Sequence, residues 1–103
     1  MTQNLTEHTY DEALAAAEGL VIVDFWAAWC GPCRAVAPAL EELSAERDVP
    51  LMKVNVDESP ALAARYGIRS IPTILFVKDG EVVDKVVGAV PKAAFAKVLD
   101  AHA

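Results

Sequence analysis

Residues 20–27, Leu20-Val21-Ile22-Val23-Asp24-Phe25-Trp26-Ala27, are apolar at odd and even positions alike, with one carboxylate among them. A strand with one wet face would alternate polar and apolar residues. A run without alternation suits a strand covered on both faces. Such a strand needs a sheet around it and helices above and below, which makes α/β the expected fold class.

The flanking segments supply those elements. Thr9-Tyr10-Asp11-Glu12 fits a capping box, so a helix is expected over Asp11 to Glu18, with Gly19 ending it. A second helix is expected from Cys33 to Arg47, with Val36, Leu40 and Leu43 on one stripe and Pro38 kinking it. Leu51 to Val56 reads as a strand. Ser59-Pro60 supplies an N-cap and first position for a short helix ending near Tyr66-Gly67. Thr73–Lys78 and Glu81–Val87 are β-branched runs joined by Asp79-Gly80, a strong hairpin signal. Pro91 opens a last helix, with Val90, Ala94, Phe95 and Val98 at helical spacing. The order is helix, strand, helix, strand, helix, hairpin, helix. The strand–helix–strand crossover gives parallel strands and the hairpin antiparallel ones, hence a mixed sheet. Phe25, Val54, Leu75, Phe76 and Val77 are expected in the core, and His8 and His102 on the surface.

Length and charge narrow the function. A chain of 103 residues is one domain, 1–103, able to bury roughly two-thirds of its unfolded surface. The net charge of −6 offers no counterion-release energy on a phosphate backbone, so nucleic acid is not an expected partner. The apolar stretch Gly19–Cys30 is shorter than the roughly 18 residues of a membrane span, and the N-terminus lacks a signal-peptide pattern. These features point to a soluble cytoplasmic protein.

Two cysteines are too few for a disulfide scaffold or a four-thiolate metal site. They stand as Trp29-Cys30-Gly31-Pro32-Cys33, where the buried strand hands over to a helix. A metal site lacks further ligands, since His8 and His102 lie near the chain ends. A structural disulfide closing so short a loop would contribute only about 2 kcal/mol. Inert core thiols rarely fall at this spacing beside Gly-Pro. A redox pair suits the spacing best: Cα atoms three apart in a first helical turn lie roughly 5–6 Å apart, within disulfide reach. Cys30 then meets the positive end of the helix, which favours a thiolate. Asp24, alone in an apolar strand, is either a carboxylate satisfied by backbone or a functional acid.

The block Val23-Asp24-Phe25-Trp26-Ala27-Ala28-Trp29-Cys30-Gly31-Pro32-Cys33-Arg34 resembles the active-site signature of the thioredoxin family. The likeness continues through Val54-Asn55-Val56-Asp57, Tyr66-Gly67-Ile68-Arg69-Ser70-Ile71-Pro72-Thr73, Lys78-Asp79-Gly80-Glu81 and Val87-Gly88-Ala89. It implies the thioredoxin fold, a central five-stranded mixed β-sheet flanked by four α-helices, and general protein-disulfide reduction. Cys30 would be the nucleophile, more solvated than Cys33, and Cys33 the resolving thiol. Asp24 would accept the proton of Cys33, with Trp26 as a lid over it and Lys53 tuning it; Lys53 read by itself is an edge or snorkelling lysine. An X–Pro bond is by default trans, whereas the resemblance implies a cis Ile71–Pro72 bond facing the cysteines. Trp29, Gly31, Pro32, Ile71, Pro72, Val87, Gly88 and Ala89 would form the substrate rim, with the Ile71 backbone pairing an extended target segment. Arg34 stands where the family often has lysine.

The resemblance further implies a monomer with no bound cofactor and no metal, recharged by thioredoxin reductase with electrons from NADPH. Its targets would be protein disulfides such as those of ribonucleotide reductase, methionine sulfoxide reductase and peroxiredoxins. The alternatives are an oxidase or isomerase, which tends to carry histidine between the cysteines, and a binding module without redox turnover.

Overall fold

The apolar run forms strand β2, Leu20–Trp26, the middle strand of five in the computed structural model, which describes residues 2–103. The other elements are β1 (Thr2–Leu5), α1 (Tyr10–Ala16), α2 (Gly31–Arg47), β3 (Leu51–Asn55), α3 (Pro60–Arg65), β4 (Thr73–Lys78), β5 (Glu81–Val87) and α4 (Lys92–His102). The sheet order is β1-β3-β2-β4-β5. β3 pairs in parallel with both β1 and β2, while β4 pairs antiparallel with both β2 and β5. This is the mixed α/β thioredoxin fold.

Each face carries its own core. Val21, Val23 and Phe25 of β2 pack with Tyr10 of α1 and Leu62 of α3. Ile22 points the other way, toward Val36, Leu40 and Leu43 of α2 and Phe95 and Leu99 of α4. Asp24, two residues beyond Ile22, therefore faces the α2 side. Phe25, Val54, Leu75, Phe76 and Val77 are all buried, as expected.

Several local expectations need correction. β1 had no sequence signal of its own, because Thr-Gln-Asn-Leu is short and polar; only its parallel register with Leu51–Val54 makes it a strand, and only Leu5 is buried. With β1 outside it, β3 is interior, so Lys53 is not an edge lysine. The Thr9–Glu12 capping box does not form. The Thr9 hydroxyl accepts instead from the Thr6 N–H at 2.9 Å, because a turn at Thr6–Thr9 leads into α1. α1 ends at Ala16, before Gly19 (φ 72°) redirects the chain into β2. Ser59 gives α3 no side-chain cap, and its buried hydroxyl has no hydrogen-bond partner among the described residues. α2 begins at Gly31, two residues earlier than expected, and runs through Pro38 unbroken. His102 is not a plain surface residue: its Nε2 lies 3.1 Å from Asp84 Oδ2, tying α4 to β5.

The hairpin expectation holds in detail. Asp79 (φ 52°) and Gly80 (φ 83°) both take positive φ, as a type I′ turn requires. Tyr10 and Tyr66 are joined by a 2.9 Å hydroxyl hydrogen bond and pack edge to face.

Candidate active site

The carboxyl end of β2 delivers the chain to the N-terminus of α2, a place where open α/β sheets bind ligands. Cys30 is the N-cap of α2, in extended backbone (φ −90°, ψ 104°), and Pro32 stands in the first turn, where a missing N–H costs no helical bond. Cys30 and Cys33 form a disulfide, with Cα atoms 5.3 Å apart. The Cys33 N–H donates to Cys30 Sγ at 3.2 Å, so one free N–H of the helix end is aimed at that sulfur.

In the disulfide form Cys30 and Cys33 are almost equally buried. The two residues are 3% and 2% exposed, because Trp26, Val56 and Ile71 pack around both. Their difference lies in the helix: Cys30 caps it and receives an N–H, while Cys33 sits inside the first turn.

The Ile71–Pro72 bond is cis, as the resemblance implied and the default for X–Pro did not. The Ile71 carbonyl oxygen lies 3.9 Å from Cys30 Sγ. The Pro72 carbonyl accepts from the Gly88 N–H at 2.9 Å, and Thr73 is in register with Val87. The loop after β5 is thus fastened to the proline loop. Gly88 has φ 100°, a conformation that side chains resist, so glycine is required there for its backbone rather than for space. Val87, 50% exposed, and Trp29, 69% exposed, leave apolar surface open beside the disulfide. Trp29 is held by its indole N–H, which donates to Asp57 Oδ2 at 2.9 Å. Asp57 is a site residue missed by spacing, since its link to Trp29 exists only in three dimensions. A groove of about 940 Å³ between β1 and α1 includes neither cysteine.

Asp24 is buried, and neither carboxylate oxygen has a protein hydrogen-bond partner. In register it stands between Lys53 of β3 and Ile74 of β4. Burial pushes its carboxyl up to about 6, and the Lys53 charge pulls the other way. Lys53 Nζ also lies 5.1 Å from the centre of the Trp26 ring, a cation–π contact. Trp26 packs against the two cysteines, and its buried Nε1 lacks a partner. Because Lys53 favours the ionised acid, Lys53→Met is expected to raise the Asp24 carboxyl further above 6. A carbon-detected NMR titration of the carboxyl checks this, and an unmoved midpoint removes Lys53 from the site.

The electrostatics allow two kinds of chemistry: a thiolate at Cys30, and proton transfer at Asp24 near neutral pH. Among the described residues no group of three or more His, Cys, Asp or Glu side chains converges as a metal site. Among the described residues no helix is long and apolar enough to cross a membrane.

Comparison with known proteins agrees with this geometry. The family description Thioredoxin matches residues 1–101. The chain is 50% identical over 100 residues to Thioredoxin 1 of Synechococcus elongatus, covering 95% of this chain and 94% of that protein. It is 49% identical over 100 residues to the thioredoxin of Staphylococcus haemolyticus, with the same coverage. Against the chloroplastic M-type thioredoxin of Pisum sativum it is 48% identical over 102 residues, covering 97% of this chain and 59% of that one.

Proposed function

The chain belongs to the thioredoxin family, and from that membership we infer a protein-disulfide reductase in which Cys30 attacks and Cys33 resolves. It is a protein-disulfide oxidoreductase, working with a reductase and with disulfide substrates. The observation that carries the division of labour is the capping of α2 by Cys30, whose sulfur receives the Cys33 N–H.

The cycle starts from the dithiol. The Cys30 thiolate attacks one sulfur of a target disulfide; the target S–S bond breaks and its other sulfur leaves as a thiolate that takes a proton. Cys33 then gives its proton to the Asp24 carboxylate and attacks Cys30 Sγ. The mixed disulfide breaks, the second target sulfur leaves and is protonated, and the Cys30–Cys33 disulfide forms. The target gains two electrons and the chain loses two. A thioredoxin reductase returns them, drawing on NADPH; the chain itself is a carrier with no cofactor of its own. The Ile71 backbone aligns the target strand, and Trp29, Gly31, Pro32, Pro72, Val87, Gly88 and Ala89 give it an apolar bed. Ribonucleotide reductase, methionine sulfoxide reductase and peroxiredoxins are the targets we propose, for a monomer of one domain in the cytoplasm. Gly31-Pro32, in place of a histidine between the thiols, favours the reductant over an oxidase or isomerase.

Insulin reduction by dithiothreitol tests the reading. Cys30→Ser is expected to bring the rate down to that of dithiothreitol alone, whereas equal rates for the variant and the parent would make the domain a binding module.

A further inference from the structure

Thr73 opens β4 at a position where valine would serve the strand equally well. The two side chains have nearly the same shape and the same preference for strands, but a buried hydroxyl costs stability unless it finds a partner. Thr73 is 2% exposed, and its neighbours in register are Phe25 of β2 and Val87 of β5. Its hydroxyl turns back along the chain and donates to the Ser70 carbonyl at 2.6 Å.

That bond holds a segment with few others. Residues 68–72 belong to no helix or strand. On one side the Ile68 N–H returns to the Ala63 carbonyl at 2.9 Å, and on the other the Pro72 carbonyl accepts from Gly88. Between these anchors the one further N–H or O–H hydrogen bond, among the described residues, is that of Thr73 to Ser70. The Ile71 carbonyl faces Cys30 Sγ at 3.9 Å, and neither the N–H nor the carbonyl of Ile71 takes a backbone partner. Both groups that would pair a target strand are thus left open, on a segment fixed from either side.

We propose that Thr73 is a positioning residue for target binding: its hydroxyl, through the Ser70 carbonyl, fixes the direction in which Ile71 presents its backbone beside Cys30. The proposal rests on the reading that the Ile71 backbone pairs a target segment. A backbone already held in the pairing direction spares the ordering that binding would otherwise cost. Attack by the Cys30 thiolate on a small disulfide, which has no backbone to pair, gains nothing from that arrangement.

The test compares single-turnover reduction of insulin and of hydroxyethyl disulfide by the dithiol form. Thr73→Val is expected to lower the ratio of the two rates about fivefold, the factor that one net hydrogen bond is worth. Thr73→Ser keeps the hydroxyl and should restore the parent ratio. Thermal midpoints should rank the other way: Thr73→Ser loses a buried methyl group and should melt below Thr73→Val. A threonine with a structural role alone would make the ratio follow the thermal midpoint, or leave it unmoved in both variants, and either result overturns the proposal. If the parent itself reduces insulin no faster than the small disulfide, no strand pairing operates. The reading of Ile71 then fails first, and the parent ratio alone separates that failure from a failure of Thr73.

Discussion

Cys33→Ser is expected to convert the chain from a turnover catalyst into a covalent trap. Cys30 keeps its place as the α2 cap, so attack on a target disulfide proceeds. The mixed disulfide then has no neighbouring thiol to resolve it. Its only exit is exchange with a free thiol from solution, which forgoes the effective concentration of a group one helical turn away. That advantage amounts to at least roughly a thousandfold. Non-reducing gels of the variant mixed with a disulfide protein should show a stable adduct that dithiothreitol removes. Multiple turnover at the parent rate would exclude Cys33 as the resolving thiol.

Asp24→Asn should have two large effects of opposite value to the protein. The folded-state carboxyl titrates at about 6, against 3.8 for the ordinary group, so the native state binds the proton more tightly than the unfolded chain does. Stability is therefore greatest below pH 4 and falls as pH rises from about 4 to 6. Above that window the whole cost of the buried charge is present, about 3 kcal/mol. Asparagine carries no charge at any of these values. The variant should exceed the parent in chemical-denaturation stability by about 3 kcal/mol at pH 8 and lose that margin at pH 4. A margin independent of pH would mean that Asp24 is not the buried anion described. The same change removes the proton acceptor, so stopped-flow resolution of the mixed disulfide at neutral pH should slow by about a hundredfold. An unchanged rate would sink the base assignment while leaving the stability result intact. Stability foregone at this one position fits a group kept for its chemistry.

Patterns that report their own structure were legible before any fold was drawn. The non-alternating run at Leu20–Ala27 placed a strand with two covered faces, and it is the central strand. Asp79-Gly80 placed a type I′ hairpin, because few other residues accept two positive φ values in succession. Cys30 and Cys33 were readable as a redox pair from their spacing and from the Pro32 beside them. The five-strand count and the cis Ile71–Pro72 bond came through the family resemblance; residue patterns alone gave four strands and a trans bond.

Other features belong to the tertiary structure. β1 exists because β3 offers it a parallel edge, and nothing within Thr2–Leu5 states that. The Trp29–Asp57 hydrogen bond, the Tyr10–Tyr66 pair and the seating of His102 on Asp84 join residues 18 to 56 positions apart in the chain. Local propensity has no term for such pairs. The capping failure at Thr9 has the same origin, since the Thr6 N–H takes the Thr9 hydroxyl once the backbone is placed. For Asp24 the sequence determined that a carboxylate would be buried, and the fold decided its proton affinity. Desolvation depends on which strands flank it, and the cation opposing that desolvation sits 29 residues away, brought alongside by the β2–β3 register.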